Sequence, residues 1–554
     1  MTGARGRINK QERGLKVMKA GKADTENLNR RVPNAFVAGL AILALIMIGQ
    51  WLQSGVHLNH DVSYFVHFDS WLLQGRKLGS DLIDGSLPMA WIVSMPAAVL
   101  VKLGLFAEPS ALRLVFWFYF MISAALVILV LSKYEQAGQQ RAYGWVVGFV
   151  LIFTLGPGFS FGQREHASVL LAMPYLAAAS LRIHSGPNLG RPLALVIGLL
   201  AGVAFSIKPY FLAVPALIEL LLFVRLGWRS LLRVECLALG LTVATYVAMT
   251  WLLIGDFVWQ TIELSFDTYW AYESLSLHVL IERFYIVVQP ALYGALVSLV
   301  TRTWTAQHSI LLLAGLGYTI SYFVQEKGFV YHAFPILVCS VVFLAVSVSF
   351  GFSRAWGRWR ETRKPLWAML TIAVVAAALP PAKQVHDGVV RWFFNYNIES
   401  GQTGRFRQAV IDAVNHFAPR RDQYFYAFST HPFPGFPTAS YTNADWSGTC
   451  STQPFLPAFV RLDDVSDPQL RQRILQVADY QRRLVVDDFV HRPPTVVFAE
   501  RSRTRLGMNG RVFDDVAFYS KDPRFQAIWR QYEEVPPLGP LRVFVRRADA
   551  DRVP

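Results

Sequence analysis

Residues 109–132 read PSALRLVFWFYFMISAALVILVLS, and this stretch decides the fold class. A helix of ~20 apolar residues crosses the roughly 30 Å hydrocarbon core of a bilayer. Working outward, further apolar blocks fall at approximately 34–53, 87–106, 143–160, 166–182, 191–207, 209–226, 231–254, 283–303, 308–325, 331–351 and 365–381. With 53% hydrophobic residues gathered into such blocks, the chain is too apolar for a water-soluble protein. A membrane β-barrel would instead show alternating stretches of about ten residues. The pattern predicts an α-helical polytopic membrane protein.

The formal charge of +15 would suit a nucleic-acid partner, but its placement excludes that class. Much of it lies in the N-terminal arm, including Arg5, Arg7, Lys10, Arg13, Lys16, Lys19, Lys22, Arg30 and Arg31, and in short connectors between apolar blocks. That is the distribution that orients membrane helices, with basic loops inside. The polar arm is too long for the basic start of a cleavable secretory signal, so residues 1–33 are read as a disordered cytoplasmic arm. Of the three cysteines, Cys236 and Cys339 fall in apolar blocks and Cys450 stands alone in the polar tail. No metal-binding cysteine pair exists.

Two basic connectors mark the cytoplasmic side: Arg225, Arg229 and Arg233, then Arg354, Arg358, Arg360, Arg363 and Lys364. These place 255–282, 325–331 and the tail on the opposite face, which is the periplasm in a bacterial inner membrane. The expected organisation is an arm at 1–33, a membrane domain at 34–382 with a periplasmic loop at 54–87, and a soluble α/β domain at 383–554. An arm inside and a tail outside require an odd number of crossings, whereas twelve blocks are visible. The block at 87–106 carries Pro88 and Pro96 and reads as broken or partly inserted, so the expectation is about eleven to thirteen spans.

Between the first two blocks, Tyr64, Phe65, Phe68, Trp71 and Leu72 are interleaved with Asp61, Asp69 and Arg76, as in helices lying at a membrane surface. In the tail, strand-like runs at Gln423–Ser429, Arg483–Val490, Thr495–Ala499 and Leu541–Val545 alternate with polar helical ones such as Pro468–Asp479.

Four constellations sit at the predicted outer boundary. They are His60-Asp61 followed by Asp81 and Asp84, Gln163-Arg164-Glu165-His166, Lys208-Pro209-Tyr210, and Gln325-Glu326-Lys327 running on to Tyr331-His332. Each ionisable side chain at membrane depth costs on the order of 2.5–3.5 kcal/mol, so a group of them needs mutual pairing or a polar ligand. Carboxylates such as Asp61 and Glu165 can take a proton from a hydroxyl, and cations such as Arg164, Lys208 and Lys327 can hold a phosphate. Together they suit sugar transfer from a lipid-linked phosphate.

At these residues the chain resembles the GT-C glycosyltransferases that use polyprenyl-phosphate sugars, in the bacterial branch containing the lipid A aminoarabinose transferase and relatives of protein O-mannosyltransferases. The resemblance runs over roughly 34–350. It is carried by Asp61 after the first span, Leu72-Leu73-Gln74-Gly75, Asp81, Asp84 and Pro88, the acidic turn Arg164-Glu165-His166, and Lys327-Gly328-Phe329-Val330-Tyr331-His332. It implies an inverting transfer to an envelope glycan, lipid or protein. In that scheme Asp61 and Glu165 are the catalytic carboxylates, with Asp61 the base. Arg164, His166, Lys208, Lys327 and His332 bind donor phosphate or substrate. Many relatives carry Lys-Pro-Pro where this chain has Ser86-Leu87-Pro88-Met89, so Arg164, Lys208 or Lys327 would replace that lysine. Family members divide on a divalent cation, and a single carboxylate at the first acidic site points weakly to metal independence.

Each residue also has a plainer reading: Asp61 as a helix cap, Arg164–Glu165 as a structural ion pair, Lys208 as an interface anchor, Lys327 and His332 as ordinary boundary residues. The Asp549-Ala550-Asp551 triplet lies in a charged terminus without strand context and is read as coincidence. The turn-rich stretch His431–Pro437 is read as a structural loop before a contact with acceptor glycan. Two other classes compete: a transporter or flippase, which should show duplicated broken helices, and an O-antigen polymerase or ligase, whose late loop should be rich in arginine rather than acidic like 255–282.

Overall fold

The computed structural model describes residues 39–136, 143–183, 189–272 and 274–547. The N-terminal arm, Glu273 and the Asp549–Asp551 triplet lie outside them. The helices are α1 (Gly39–Ser54), α2 (His60–Leu73), α3 (Met89–Ile92), α4 (Met95–Lys102), α5 (Glu108–Gln136), α6 (Tyr143–Leu155), α7 (Arg164–Arg182) and α8 (Arg191–Ser206). They continue as α9 (Ala213–Leu226), α10 (Val234–Thr268), α11 (Leu277–Thr301), α12 (Ala306–Gln325), α13 (Phe334–Thr362), α14 (Pro365–Ala376) and α15 (Leu379–Tyr396). Short 3-10 turns at Gly158–Ser160, Pro209–Leu212 and Val330–Ala333 lead into or between them.

Among the described residues, six helical segments are long and apolar enough to cross a membrane, and α1, α6 and α8 are shorter apolar helices. With α7 and α12, which run beside them, they make eleven helical segments among the described residues. The 87–106 block is broken, as Pro88 and Pro96 imply: it forms only α3 and α4, too short to cross. This odd count agrees with the two ends of the bundle lying on opposite faces. It places 55–107, 156–163, 207–208, 269–276, 326–333 and the C-terminal part on one face, hereafter the domain face. Side-chain contacts among these segments agree, as in Lys208 to Gln325 and Lys327 to Tyr272.

Helix α7 forms the axis of the bundle, buried along nearly its whole length. Small residues permit close crossings: a methyl group on Gly148 of α6 would come within 2.9 Å of the Val342 Cα on α13. Two boundaries differ from expectation. Residues 255–268, read as loop, continue α10 beyond a kink at Ile254 (φ −142°, ψ 24°). Their charges serve the domain contact, where Arg473 Nε donates to Asp267 at 2.9 Å. The last membrane helix also runs to Tyr396, past the boundary expected near 383.

The C-terminal part holds α16 (Gln402–Phe417), β1 (Tyr424–Phe428), β2 (Asp445–Trp446), α17 (Leu456–Val460), α18 (Pro468–His491), β3 (Val496–Glu500), α19 (Asp515–Tyr519), α20 (Pro523–Trp529), β4 (Tyr532–Leu538) and β5 (Leu541–Arg546). The sheet order is β2-β1-β3-β5-β4, with β1 parallel to β2 and β3, and β5 antiparallel to β3 and β4. The run at 483–490, expected as a strand, lies inside α18. Its buried residues Ile474, Val477, Ala478, Gln481, Val485 and Phe489 keep a helical period that a short window hides.

The domain is continuous with the first loop. Tyr64, Phe65, Phe68 and Trp71 of α2 and Trp91 of α3 share one apolar core with Phe425, Phe436 and Trp446. Polar contacts fasten the same surface: His67 bridges Glu108 (2.9 Å) and Asp445 (2.7 Å), and Arg76 donates to Asp445 at 2.7 Å.

Candidate active site

Asp61 stands in the first turn of α2, which Asn59 caps by accepting from the Asp61 amide at 2.9 Å. The cap, the plainer reading of Asp61, is thus made by Asn59, leaving the Asp61 carboxylate to other partners. Its Oδ2 accepts from Gln163 at 3.2 Å and lies 3.9 Å from an Arg164 nitrogen, and Oδ1 is 3.5 Å from His60. Burial pushes the carboxyl up. The His60 ring, the Arg164 guanidinium and the Gln163 amide outweigh it and hold Asp61 below the ordinary range.

Helix α7 starts at Arg164, and consecutive residues on a helix point about 100° apart. The three motif residues therefore diverge. Arg164 donates to Ser86 at 3.1 Å and lies over the Phe65 ring. Glu165 turns into the bundle, fully buried, and accepts from Lys208 at 2.5 Å with His332 at 3.7 Å. His166 enters an aromatic cage of Phe116, Phe153, Phe161 and Phe334, with Nδ1 accepting from the Gly162 amide at 3.1 Å. It packs in the core rather than at a substrate surface.

Lys208, at the break between α8 and the Pro209–Leu212 turn, also donates to Gln325 at 2.8 Å. Lys327 follows the end of α12, where Glu326 takes a left-handed conformation (φ 53°). Its ammonium donates to the Tyr272 carbonyl at 2.5 Å and to Ser274 at 3.5 Å, and sits 4.6 Å from the Tyr269 ring centre. No carboxylate pairs with it among the described residues. Burial pulls this ammonium below its usual range.

Arg164, Lys208, Lys327 and His332 line one cavity of about 460 Å³, walled further by Ser86, Tyr210, Tyr269, Gln325 and Tyr331. Glu165 sits directly behind Lys208. Asp61 is not a lining residue and reaches the cavity only through Arg164. The structure therefore gathers four of the expected residues, sets two carboxylates behind the wall, and removes His166. Tyr269 and Ser274 escaped notice because their segment read as an acidic loop; the alternation of aromatics with acids across 256–272 was the available clue.

Asp84 is half-buried next to Ser86 of the cavity wall, its carboxyl raised by desolvation against a hydrogen bond from the Ser86 amide (2.7 Å). No group of three or more His, Cys, Asp or Glu side chains able to hold a metal ion occurs among the described residues. Asp61 faces Gln163, Arg164 and His60, a donor set that does not fit a divalent cation.

No family model matches the chain, and no curated protein matches it by sequence. Solved structures do. The crystal structure of ArnT from Cupriavidus metallidurans bound to undecaprenyl phosphate aligns over 91% of this chain and 97% of its own, with TM-score 0.56 at 10% identity. The same protein in the apo state aligns over 92% and 98%, with TM-score 0.55 and 10% identity. This likeness shows the fold: a GT-C-like helical membrane domain, as the resemblance implied, carrying a small C-terminal mixed-sheet domain, as the pattern of the tail led one to expect.

Proposed function

We propose that this chain is an integral membrane glycosyltransferase that moves a sugar from a polyprenyl-phosphate donor to an envelope glycan, lipid or protein. The domain face is then the periplasmic side of a bacterial inner membrane. One observation carries the reading: Arg164, Lys208 and Lys327, far apart in the chain, converge on one cavity at the domain face. A structure of the same fold bound to undecaprenyl phosphate supports it.

In this scheme an acceptor hydroxyl enters between Asp61 and the cavity, once Arg164 has turned toward the donor phosphate, and gives its proton to Asp61. Its oxygen attacks the anomeric carbon as the bond from that carbon to the phosphate oxygen breaks, with inversion. The departing polyprenyl phosphate carries the negative charge to Lys327 and Arg164, cations already fixed before reaction. Glu165 does not touch substrate; it positions Lys208. No step passes through a metal ion.

The test is a transfer assay with the purified full chain in lipid nanodiscs and a panel of polyprenyl-phosphate sugars. Turnover with at least one donor, greatly reduced in Lys327→Met at equal folded protein, is the expected result. Absence of transfer with every donor, or full turnover by Lys327→Met, counts against the scheme.

A further inference from the structure

Behind Asp61, away from the three cavity cations, lies a second cation that the scheme above leaves unused. Arg407, on the polar helix α16, is only 7% exposed. Its guanidinium lies over three aromatic rings, 5.2 Å from Phe159, 5.3 Å from Tyr396 and 5.7 Å from Phe433. Among the described residues it makes no hydrogen bond and no ion pair, and its Nη1 is enclosed without any partner. Other buried arginines here are matched: Arg505 pairs with Asp515 at 2.7 Å, and Arg113 donates to the Val56 carbonyl at 2.9 Å. Burial draws the Arg407 guanidinium down to about 10, which still leaves it charged at neutral pH.

Three rings compensate a desolvated guanidinium only in part, because they accept none of its N–H groups. The fork geometry of arginine matches phosphate and carboxylate. Its surroundings also lead to Asp61. Phe159, under the guanidinium, lies 5.8 Å from the His60 ring; His60 lies 4.3 Å from His431 and 3.5 Å from the Asp61 carboxylate. Burial keeps both histidines below their usual range, with His431 near 3.

We propose that Arg407, framed by Phe159, Tyr396 and Phe433, is an acceptor-side anion site that seats the phosphate or carboxylate of an acidic acceptor beside Asp61. This deepens the transfer reading by naming the acceptor class, and it rests on that reading for the word acceptor.

Binding without turnover tests it. The full chain in nanodiscs of zwitterionic lipid is titrated by calorimetry with octyl glucoside 6-phosphate, octyl glucuronide and neutral octyl glucoside. Wild type is expected to prefer the charged glycosides by about tenfold or more, the scale of a charge-assisted hydrogen bond. Comparison of phosphate with carboxylate tells which anion is seated. Arg407→Gln should lower the preference about tenfold in the Lys327→Gln background, where the donor-phosphate cavity has lost its lysine, and Arg407→Lys in that background should keep part of it. Absence of preference in wild type overturns the proposal without recourse to any variant. So does a preference that Arg407→Gln leaves unchanged in that background. Since no donor is present, this result and the transfer assay stand or fall separately.

Discussion

Two buried charge clusters occupy opposite ends of the helical bundle, and they are built differently. At the basic face, Arg182 grips Glu235 with two bonds (2.7 and 3.2 Å), Arg233 reaches both Glu235 and Glu219, and Tyr175 donates to Glu219 at 2.7 Å. Two arginines meet two glutamates, and the lattice closes on itself. At the domain face Asp61 and Glu165 lie against Arg164 and Lys208, Glu326 also stands on the cavity wall, and among the described residues Lys327 makes no ion pair, holding a carbonyl, a hydroxyl and a ring. A closed lattice fixes helix packing. An open one keeps positive charge in reserve beside a cavity, which is what binding an anionic leaving group requires.

The contrast is broken most sharply by substitutions that should separate turnover from stability. Asp61→Asn is expected to lower kcat by about 10²–10⁴-fold, the range for loss of a general base, with the unfolding midpoint nearly unchanged. Initial rates at equal folded protein decide it, and undiminished turnover removes Asp61 from the chemistry. Arg233→Ala should do the opposite: leaving Glu219 without a cation, with Glu235 held by Arg182 alone, costs about 3–5 kcal/mol of stability, while turnover per folded molecule holds. Denaturant unfolding in detergent reads that loss. Lys327→Met should cost about 10²–10³-fold in turnover with little change in stability, because no carboxylate is left alone.

The smallest effect concerns the seam between α2 and the C-terminal domain. Burial opposes charge on His67, but Glu108 and Asp445 override it and raise the imidazole from 6.5 to about 10. Burial likewise opposes charge on Asp445, yet His67, Arg76 and Trp71 lower it from 3.8 to about 2. The His67 contribution is complete below pH 6.5 and fades as pH rises toward about 10; that of Asp445 is complete above 3.8 and fades as pH falls toward about 2. Stability of the seam should therefore be flat between these limits and fall outside them. His67→Gln should abolish the alkaline slope, as read by limited proteolysis of the domain across pH.

The membrane helices were legible because each buries a long apolar run, and runs of that length have one solution in lipid. Residues 255–268 were not, since Asp256, Glu263 and Asp267 break the hydropathy of a helix that has left the apolar core to meet α18. The site was half legible. Arg164, Lys208, Lys327 and His332 stood in short boundary motifs, and the fold brings all four to one cavity. Helix rotation was invisible in the string Arg164-Glu165-His166, so one wall residue, one buried support and one core ring looked alike. Arg407 gave no local sign at all; only the folded chain shows that, among the described residues, it meets rings but no hydrogen-bond or ion-pair partner.

The Tyr272 carbonyl that moors Lys327 belongs to a loop held from above: Tyr272 donates to the Pro454 carbonyl at 3.2 Å, and Arg461 donates to the Ala271 carbonyl at 2.8 Å. A polypeptide ending at Tyr396 would retain every cation of the cavity and still lose the clasp that aims one of them. The sheet domain thus works as a keystone for the wall beneath it, and shortening the chain there would slacken the very lysine that has charge to spare.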